Sequence, residues 1–92
     1  MAEILKGTQK FYIGDSEDNY SAEITFSNVG NKVISIDRTY VSDELRGQRI
    51  AQQLVQKVID FAREEDLKII PTCSYAKTFF EKNPADQDVL NK

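Results

Sequence analysis

The chain contains no histidine, so any proton transfer it performs falls to a carboxylate, a tyrosine, a lysine, a thiol, a terminus or water. Its single cysteine cannot form an internal disulfide, which fits a reducing compartment. No apolar run approaches the ~20 residues that a membrane-spanning helix requires. Met1 to Gly7 has neither the basic start nor the apolar stretch of a secretory signal. A cytoplasmic location away from membranes is therefore expected. Excess positive charge is missing too: 12 Lys and Arg against 15 Asp and Glu leave a net charge of −3, which argues against a general nucleic-acid binder. Two common phosphate-binding signatures, G-K-[ST] after a glycine-rich loop and G-x-G-x-x-G, do not occur.

What is present is the balance of an ordinary folded domain. Hydrophobic residues make up 40 % and charged residues 29 %, enough apolar surface for one modest core across residues 1–92. Gln9 to Ile13 is a short aromatic and β-branched run closed by Gly14-Asp15, expected as a first, edge strand. Asp15 to Asn19 is a polar turn; it lacks the glycine and final glutamate of a calcium loop, and no metal site is expected. Tyr20 to Asn28 alternates, with Tyr20, Ala22, Ile24 and Phe26 on one face and Ser21, Glu23, Thr25 and Ser27 on the other. Val29 to Lys32 is turn chemistry, and Val33 to Val41 is a second β-rich run, so the two form a hairpin. In this second strand Ile34 and Ile36 mark one face, and Val33, Asp37, Thr39 and Val41 the other.

A helical stripe follows, with Ala51, Leu54, Val55, Val58, Ile59 and Ala62 apolar, and a helix is expected from about Gln48 to Glu65. Leu67 to Cys73 is a short strand that should loosen at Pro71, joined to Val33–Val41 by a right-handed crossover. Ser74 is the expected N-cap of a second helix, Tyr75 to about Lys82, stopped by Pro84. Val89 and Leu90 can dock the tail. The fold class is α+β: a mixed sheet, an antiparallel meander plus one parallel β-α-β crossover, flanked by two helices.

Val41 to Val55, V-S-D-E-L-R-G-Q-R-I-A-Q-Q-L-V, runs from a strand through a charged turn into that first helix. Amides left unpaired at a helix N-terminus, backed by the helix dipole, suit an anion such as a phosphate. Arg46, just ahead of the helix, can add a charge-assisted hydrogen bond. The alternative reading is a solvated turn that needed a glycine.

L-R-G-Q-R-I-A-Q-Q-L-V resembles the acetyl-CoA-binding motif [RQ]-x-x-G-x-[GA] of the GNAT superfamily of N-acetyltransferases. Arg46 takes the first position and Ala51 the last, whereas Arg49 stands where the motif has glycine. The resemblance covers about Tyr20 to Lys82 and is closest to short, single-domain GNAT-like proteins, in which I-I-P-T-C-S-Y-A-K is a second characteristic stretch. It implies acetyl-CoA as cofactor, with the amides of Gly47, Gln48, Arg49, Ile50 and Ala51 and the Arg46 side chain at the pyrophosphate. It also implies that the main chain of Thr39, Tyr40 and Val41 pairs with the pantetheine arm, provided the strand splays from Leu67–Cys73. A glycine in place of Arg49 is expected to tighten CoA binding while costing the helix up to ~1 kcal/mol if the position is interior.

Cys73 ends the last strand before a helix N-terminus and has three readings: a reactive thiol, a passive wall of the CoA site, or a small buried residue. The tyrosine that in the family protonates the departing thiolate falls on Phe80, and Tyr75, on the same helix, is the remaining phenol nearby. Glu23 and Asp37 are the strand carboxylates available as bases. The function implied is transfer of an acetyl group from acetyl-CoA to a primary amine by direct attack. The alternative is a CoA-binding module with little or no catalysis.

Overall fold

The computed structural model describes residues 4–47 and 49–91. Five strands form one sheet in the order β1-β2-β3-β4-β5: β1 Leu5–Lys6, β2 Lys10–Ser16, β3 Asn19–Gly30, β4 Val33–Val41 and β5 Lys68–Pro71. The first three junctions are antiparallel and β4–β5 is parallel, crossed by helix α1, Ile50–Glu65. Helix α2, Ser74–Lys82, follows β5, and a 3₁₀ segment, Pro84–Val89, closes the chain's course. The expected α+β meander with one parallel crossover is the observed architecture.

Several boundaries differ from those read in the sequence. The strand expected at the edge is second in the sheet, because Leu5 and Lys6 pair with Tyr12 and Phe11. Neither turn needs as many residues as the polar runs suggested. Strand pairing continues to Ser16↔Asn19 and Gly30↔Val33, leaving only Glu17-Asp18 and Asn31-Lys32 as turns. Helix α1 starts at Ile50, two residues later than expected, because Arg49 is left-handed and cannot continue the helix inward.

The core lies between one sheet face and the two helices. Ala22, Ile24, Phe26, Ile34, Ile36 and Ile69 meet Leu54, Val55, Val58, Ile59 and Ala62 of α1 and Ala76, Phe79 and Phe80 of α2. Each Leu, Val or Ile fully buried here contributes about 1.5–3 kcal/mol. The helix stripe matches the sequence reading, except that Ile50 is buried and Ala51 only partly so.

Two bulges reassign side chains between the faces of the sheet. Ile13 pairs with Ala22 but Gly14 with Tyr20, so Ser21 is an extra residue and Tyr20 moves off the core face to meet Tyr40 edge to face, centroids 6.0 Å apart. Thr25 pairs with Arg38 but Phe26 with Ile36, so Asp37 is extra in β4. Because pleat parity changes at a bulge, Thr39 and Val41, expected opposite Ile34 and Ile36, share the core face with them, directly across from Ile24 and Ala22.

Candidate functional site

The β4–β5 ladder runs from Val33↔Lys68 to Ile36↔Pro71 and stops there. Pro71 has no N–H to give, and the next two amides, of Thr72 and Cys73, both converge on the Ile36 carbonyl at 3.1 and 3.2 Å. The Thr72 hydroxyl donates to the same oxygen at 2.7 Å. From Asp37 onward β4 has no ladder partner in β5 among the described residues. The sequence reading required the two strands to part here for a strand-like ligand; what the structure gives is the end of their pairing at Ile36↔Pro71.

Past the end of β4, a 3₁₀ turn at Asp43–Leu45 leads through Gly47 and Arg49 into α1. Gly47 has φ 86°, where glycine alone rests without strain; a Cβ there would touch nothing within 4 Å, so conformation rather than space demands the glycine. Arg49 is the N-cap of α1 at φ 60°, ψ 30°. The glycine of the family pattern thus sits where the backbone is left-handed, and here an arginine adopts that conformation. Arg49 is a cap and not an interior helical residue, which removes the expected propensity cost of a glycine.

A groove of about 440 Å³ opens at this turn, lined by Val41, Leu45, Arg46, Gly47, Arg49, Ile50, Ala51, Gln52 and Tyr75. It brings together seven of the residues singled out in the sequence. Leu45 and Gln52 were missed: Leu45 lies in a turn with no periodic pattern, and Gln52 reads as a solvent-side helix position. Gln48 lies outside the described residues. Thr39, Tyr40 and Cys73 are not among the lining residues, and the Tyr40 side chain lies on the opposite sheet face, across from Glu23.

The charged residues that line the groove, Arg46 and Arg49, are both positive. Among the described residues no side chain caps the N-terminus of α1, and its first turn holds no acidic residue. Arg46 is 72 % exposed and pairs at 3.3 Å with Asp43, itself 92 % exposed. Such a surface pair is worth about 0–1 kcal/mol, so a phosphate can draw Arg46 away from it. Arg49 is exposed and makes no ion pair among the described residues.

Cys73, and not Ser74, caps α2: its sulfur accepts a hydrogen bond from the Ala76 amide at 3.3 Å. The cap shifted by one because Cys73 has extended backbone angles while Ser74 is already helical. Thr39 Oγ1 lies 3.5 Å from the same sulfur, linking β4 to α2 past the end of the β4–β5 pairing. Tyr75 is two residues on, 40 % exposed. Partial burial first, and then the electrostatic influence of the neighbouring Cys73, hold its phenol above the ordinary value. Phe80, at the family's tyrosine position, is 2 % exposed and packs edge-on against Phe79 in the core. Of the two strand carboxylates, Glu23 is buried and held by Lys10 at 2.9 Å and Arg38 at 3.0 Å, so it is engaged, whereas Asp37 is exposed.

A family model described as GCN5-related N-acetyl-transferase matches residues 10–89. The chain belongs to this family. Among solved structures, a GCN5-like candidate N-acetyltransferase from Staphylococcus aureus, determined by NMR, is 51 % identical with a TM-score of 0.82, covering 98 % of this chain and 88 % of that one. Protein NATD1 of Danio rerio is 34 % identical over 82 residues, 89 % of this chain and 74 % of its own length. Protein NATD1 of Homo sapiens is 36 % identical over 66 residues, and there the match spans only 58 % of the relative's length. The GNAT-family N-acetyltransferase YhbS of Escherichia coli, solved in complex with CoA, shares the fold at 20 % identity, with a TM-score of 0.57 over 67 % of this chain and 38 % of that one.

Proposed function

We propose that this GCN5-related protein binds acetyl-CoA in the groove at the start of α1 and transfers its acetyl group to a primary amine. The observation that carries the reading is the N-terminus of α1, without a side-chain cap or acidic residue among the described residues and flanked by Arg46 and Arg49, opening beside the end of the β4–β5 pairing. These residues fit a diphosphate: the amides of Gly47, Arg49, Ile50 and Ala51 and two guanidinium groups would hold it. The β4 main chain at Thr39, Tyr40 and Val41, free of β5, would pair with an extended pantetheine arm as an added strand does.

When bound, acetyl-CoA supplies a thioester whose carbonyl an amine attacks directly, with the thiolate leaving. The chain contributes position: β4 amides past the end of the β4–β5 pairing, the start of α1 at the groove, and an apolar wall from Val41, Leu45 and Ile50. Tyr75 is the phenol that lines the groove, and its raised pKa keeps its proton in place at neutral pH. Cys73 serves this reading as the cap that fixes the start of α2.

The other reading, a CoA-binding module with little turnover, is favoured by one observation. Phe80 occupies the family's proton-donor position and is locked in the core. Incubation with acetyl-CoA and a panel of amines, following free thiol, separates the two. Amine-dependent thiol release is expected, and CoA binding without any release would leave only the module. Binding itself is read by calorimetry: Arg46→Ala should cost on the order of 1–3 kcal/mol of CoA affinity, the range for hydrogen bonds to charged groups. Unchanged affinity would remove Arg46 from the site.

A further inference from the structure

A second cavity, of about 230 Å³, opens between α1 and α2, lined by Gln52, Tyr75, Thr78, Phe79, Lys82 and Asn83. Gln52 and Tyr75 also line the groove at the start of α1, so the two spaces adjoin. A whole small-molecule site takes roughly 300–1,000 Å³, so this cavity suits one part of a ligand whose remainder lies in the groove. From Tyr75 to Lys82 helix α2 advances about 10 Å, at ~1.5 Å per residue, which sets the reach of that part.

The lining divides into an aromatic and neutral polar part and a charged end. Tyr75 and Phe79 are one turn apart on the same helix face, and Tyr75 is 40 % exposed, so its ring is open to a planar partner. The Asn83 side-chain amide donates to the Phe79 carbonyl at 2.8 Å, which leaves its side-chain oxygen as an acceptor. The exposed Thr78 hydroxyl can donate or accept. Among the described residues of the lining Lys82 alone is charged; it is exposed and makes no ion pair with another described residue. It stands in the last turn of α2, whose carbonyl end carries partial negative charge. A phosphate placed here meets that negative end, so its binding depends on the Lys82 ammonium group.

We propose that this cavity takes the nucleoside end of the acyl donor, and that Lys82 selects a donor with a phosphate on its ribose over one without it. The proposal rests on reading the α1 groove as the diphosphate site. With the diphosphate at the start of α1, the ribose and base are the next groups along the ligand. The 3′-phosphate on that ribose is then the anion within reach of Lys82. A lysine in the last turn of a helix also stabilises the helix through its dipole. That role acts equally on every donor, so the difference between two donors isolates the selective one.

The test titrates the full chain with CoA, 3′-dephospho-CoA and 4′-phosphopantetheine, by calorimetry and by NMR of the backbone amides. CoA should bind about tenfold or more tightly than dephospho-CoA, as expected for one charge-assisted hydrogen bond. Lys82→Gln should bring CoA down to the dephospho-CoA level and leave dephospho-CoA itself unchanged, while Lys82→Arg keeps the preference. In the spectra, CoA should move the amides of Thr78, Lys82 and Asn83 together with those of Arg49 to Ala51. Phosphopantetheine, which has no nucleoside, should move only the second set. Equal affinity for CoA and dephospho-CoA, or an undiminished preference in Lys82→Gln, overturns the role of Lys82. Shifts at Arg49 to Ala51 on adding CoA, without any at Thr78 or Asn83, overturn the cavity assignment and leave the groove reading standing. Silence of both sets on adding CoA overturns the groove reading itself, and the failures are thus told apart.

Discussion

Arg49 concentrates the conflict between local backbone preference and the proposed site. A residue with a Cβ in the left-handed region costs roughly 1–2 kcal/mol, and this one has no side-chain cap to offset it. Glycine there would relieve the strain but add unfolded-state entropy of about 0.5–1 kcal/mol. Arg49→Gly should therefore stabilise the fold by a net of up to about 1.5 kcal/mol, visible as a higher urea midpoint at unchanged slope. The left-handed backbone at Arg49 argues for a different binding outcome from the one the family pattern suggests. The backbone already has the geometry a glycine would permit, so the substitution gains nothing there and removes a positive charge from the groove. Weaker CoA binding alongside higher stability is the expected pair of results, and tighter binding would mean that the arginine side chain obstructs the site. Sequence alone could flag Arg49 as a departure from the family pattern. It could not show that the position is left-handed, because that follows from the path between Gly47 and Ile50.

At the scale of elements, the tail after α2 closes the β5 edge. Leu90 bridges Ile69, and the Asn91 amide donates to the Ile69 carbonyl at 2.9 Å. An uncovered edge strand would offer its main chain to other copies. The apolar pair Val89 and Leu90 made docking legible in the sequence, and Val89 is 3 % exposed. The pin was not legible: Arg63 of α1 reaches Asp86 at 3.1 Å and Asp88 at 2.7 Å, contacts 23 and 25 residues apart that only the crossover brings together. The Arg63 hydrogen bond, ahead of its charge, lowers the Asp88 pKa below the ordinary carboxylate value, and Arg63 itself is raised and stays charged. A depressed carboxylate contributes stability above its unfolded pKa and loses it as pH falls through the lower folded value. Tail docking should therefore loosen in the acid range, below the usual aspartate pKa. Hydrogen exchange at Leu90 and Asn91 should rise there relative to α1 amides. Asp88→Asn should show the fast exchange already at neutral pH, and an unchanged pH profile in that variant would assign the acid step elsewhere.

Across the whole molecule, the sheet divides its labour between two faces, and the bulges at Ser21 and Asp37 decide which residues serve which. Period-two alternation made the core face of β3 readable from Ala22 to Phe26. The bulges were not readable, because an extra residue is set by cross-strand pairing and leaves no mark in one strand's own pattern. Their effect on the far face is a polar cluster centred on Glu23, with Lys10 and Arg38 as partners and Tyr20 and Tyr40 beside them. A carboxylate with 3 % side-chain exposure would be costly alone, and two ion pairs make it tolerable. Lys10 and Arg38 have side chains 20 % and 58 % exposed, so once freed they recover most of their hydration. Glu23→Gln should thus cost less than the 3–5 kcal/mol of a fully buried broken pair, roughly 2 kcal/mol. The Lys10 pKa is raised, first by its hydrogen bond to Glu23. A raised lysine contributes stability that is complete below its unfolded pKa and is lost as pH climbs through the folded one. Denaturation of the unaltered chain should therefore show an alkaline loss of stability that Glu23→Gln lacks, while CoA binding at the far side of the sheet stays unchanged. If the variant instead loses CoA affinity in proportion to stability, the two faces are mechanically coupled through β4, and the division of labour fails.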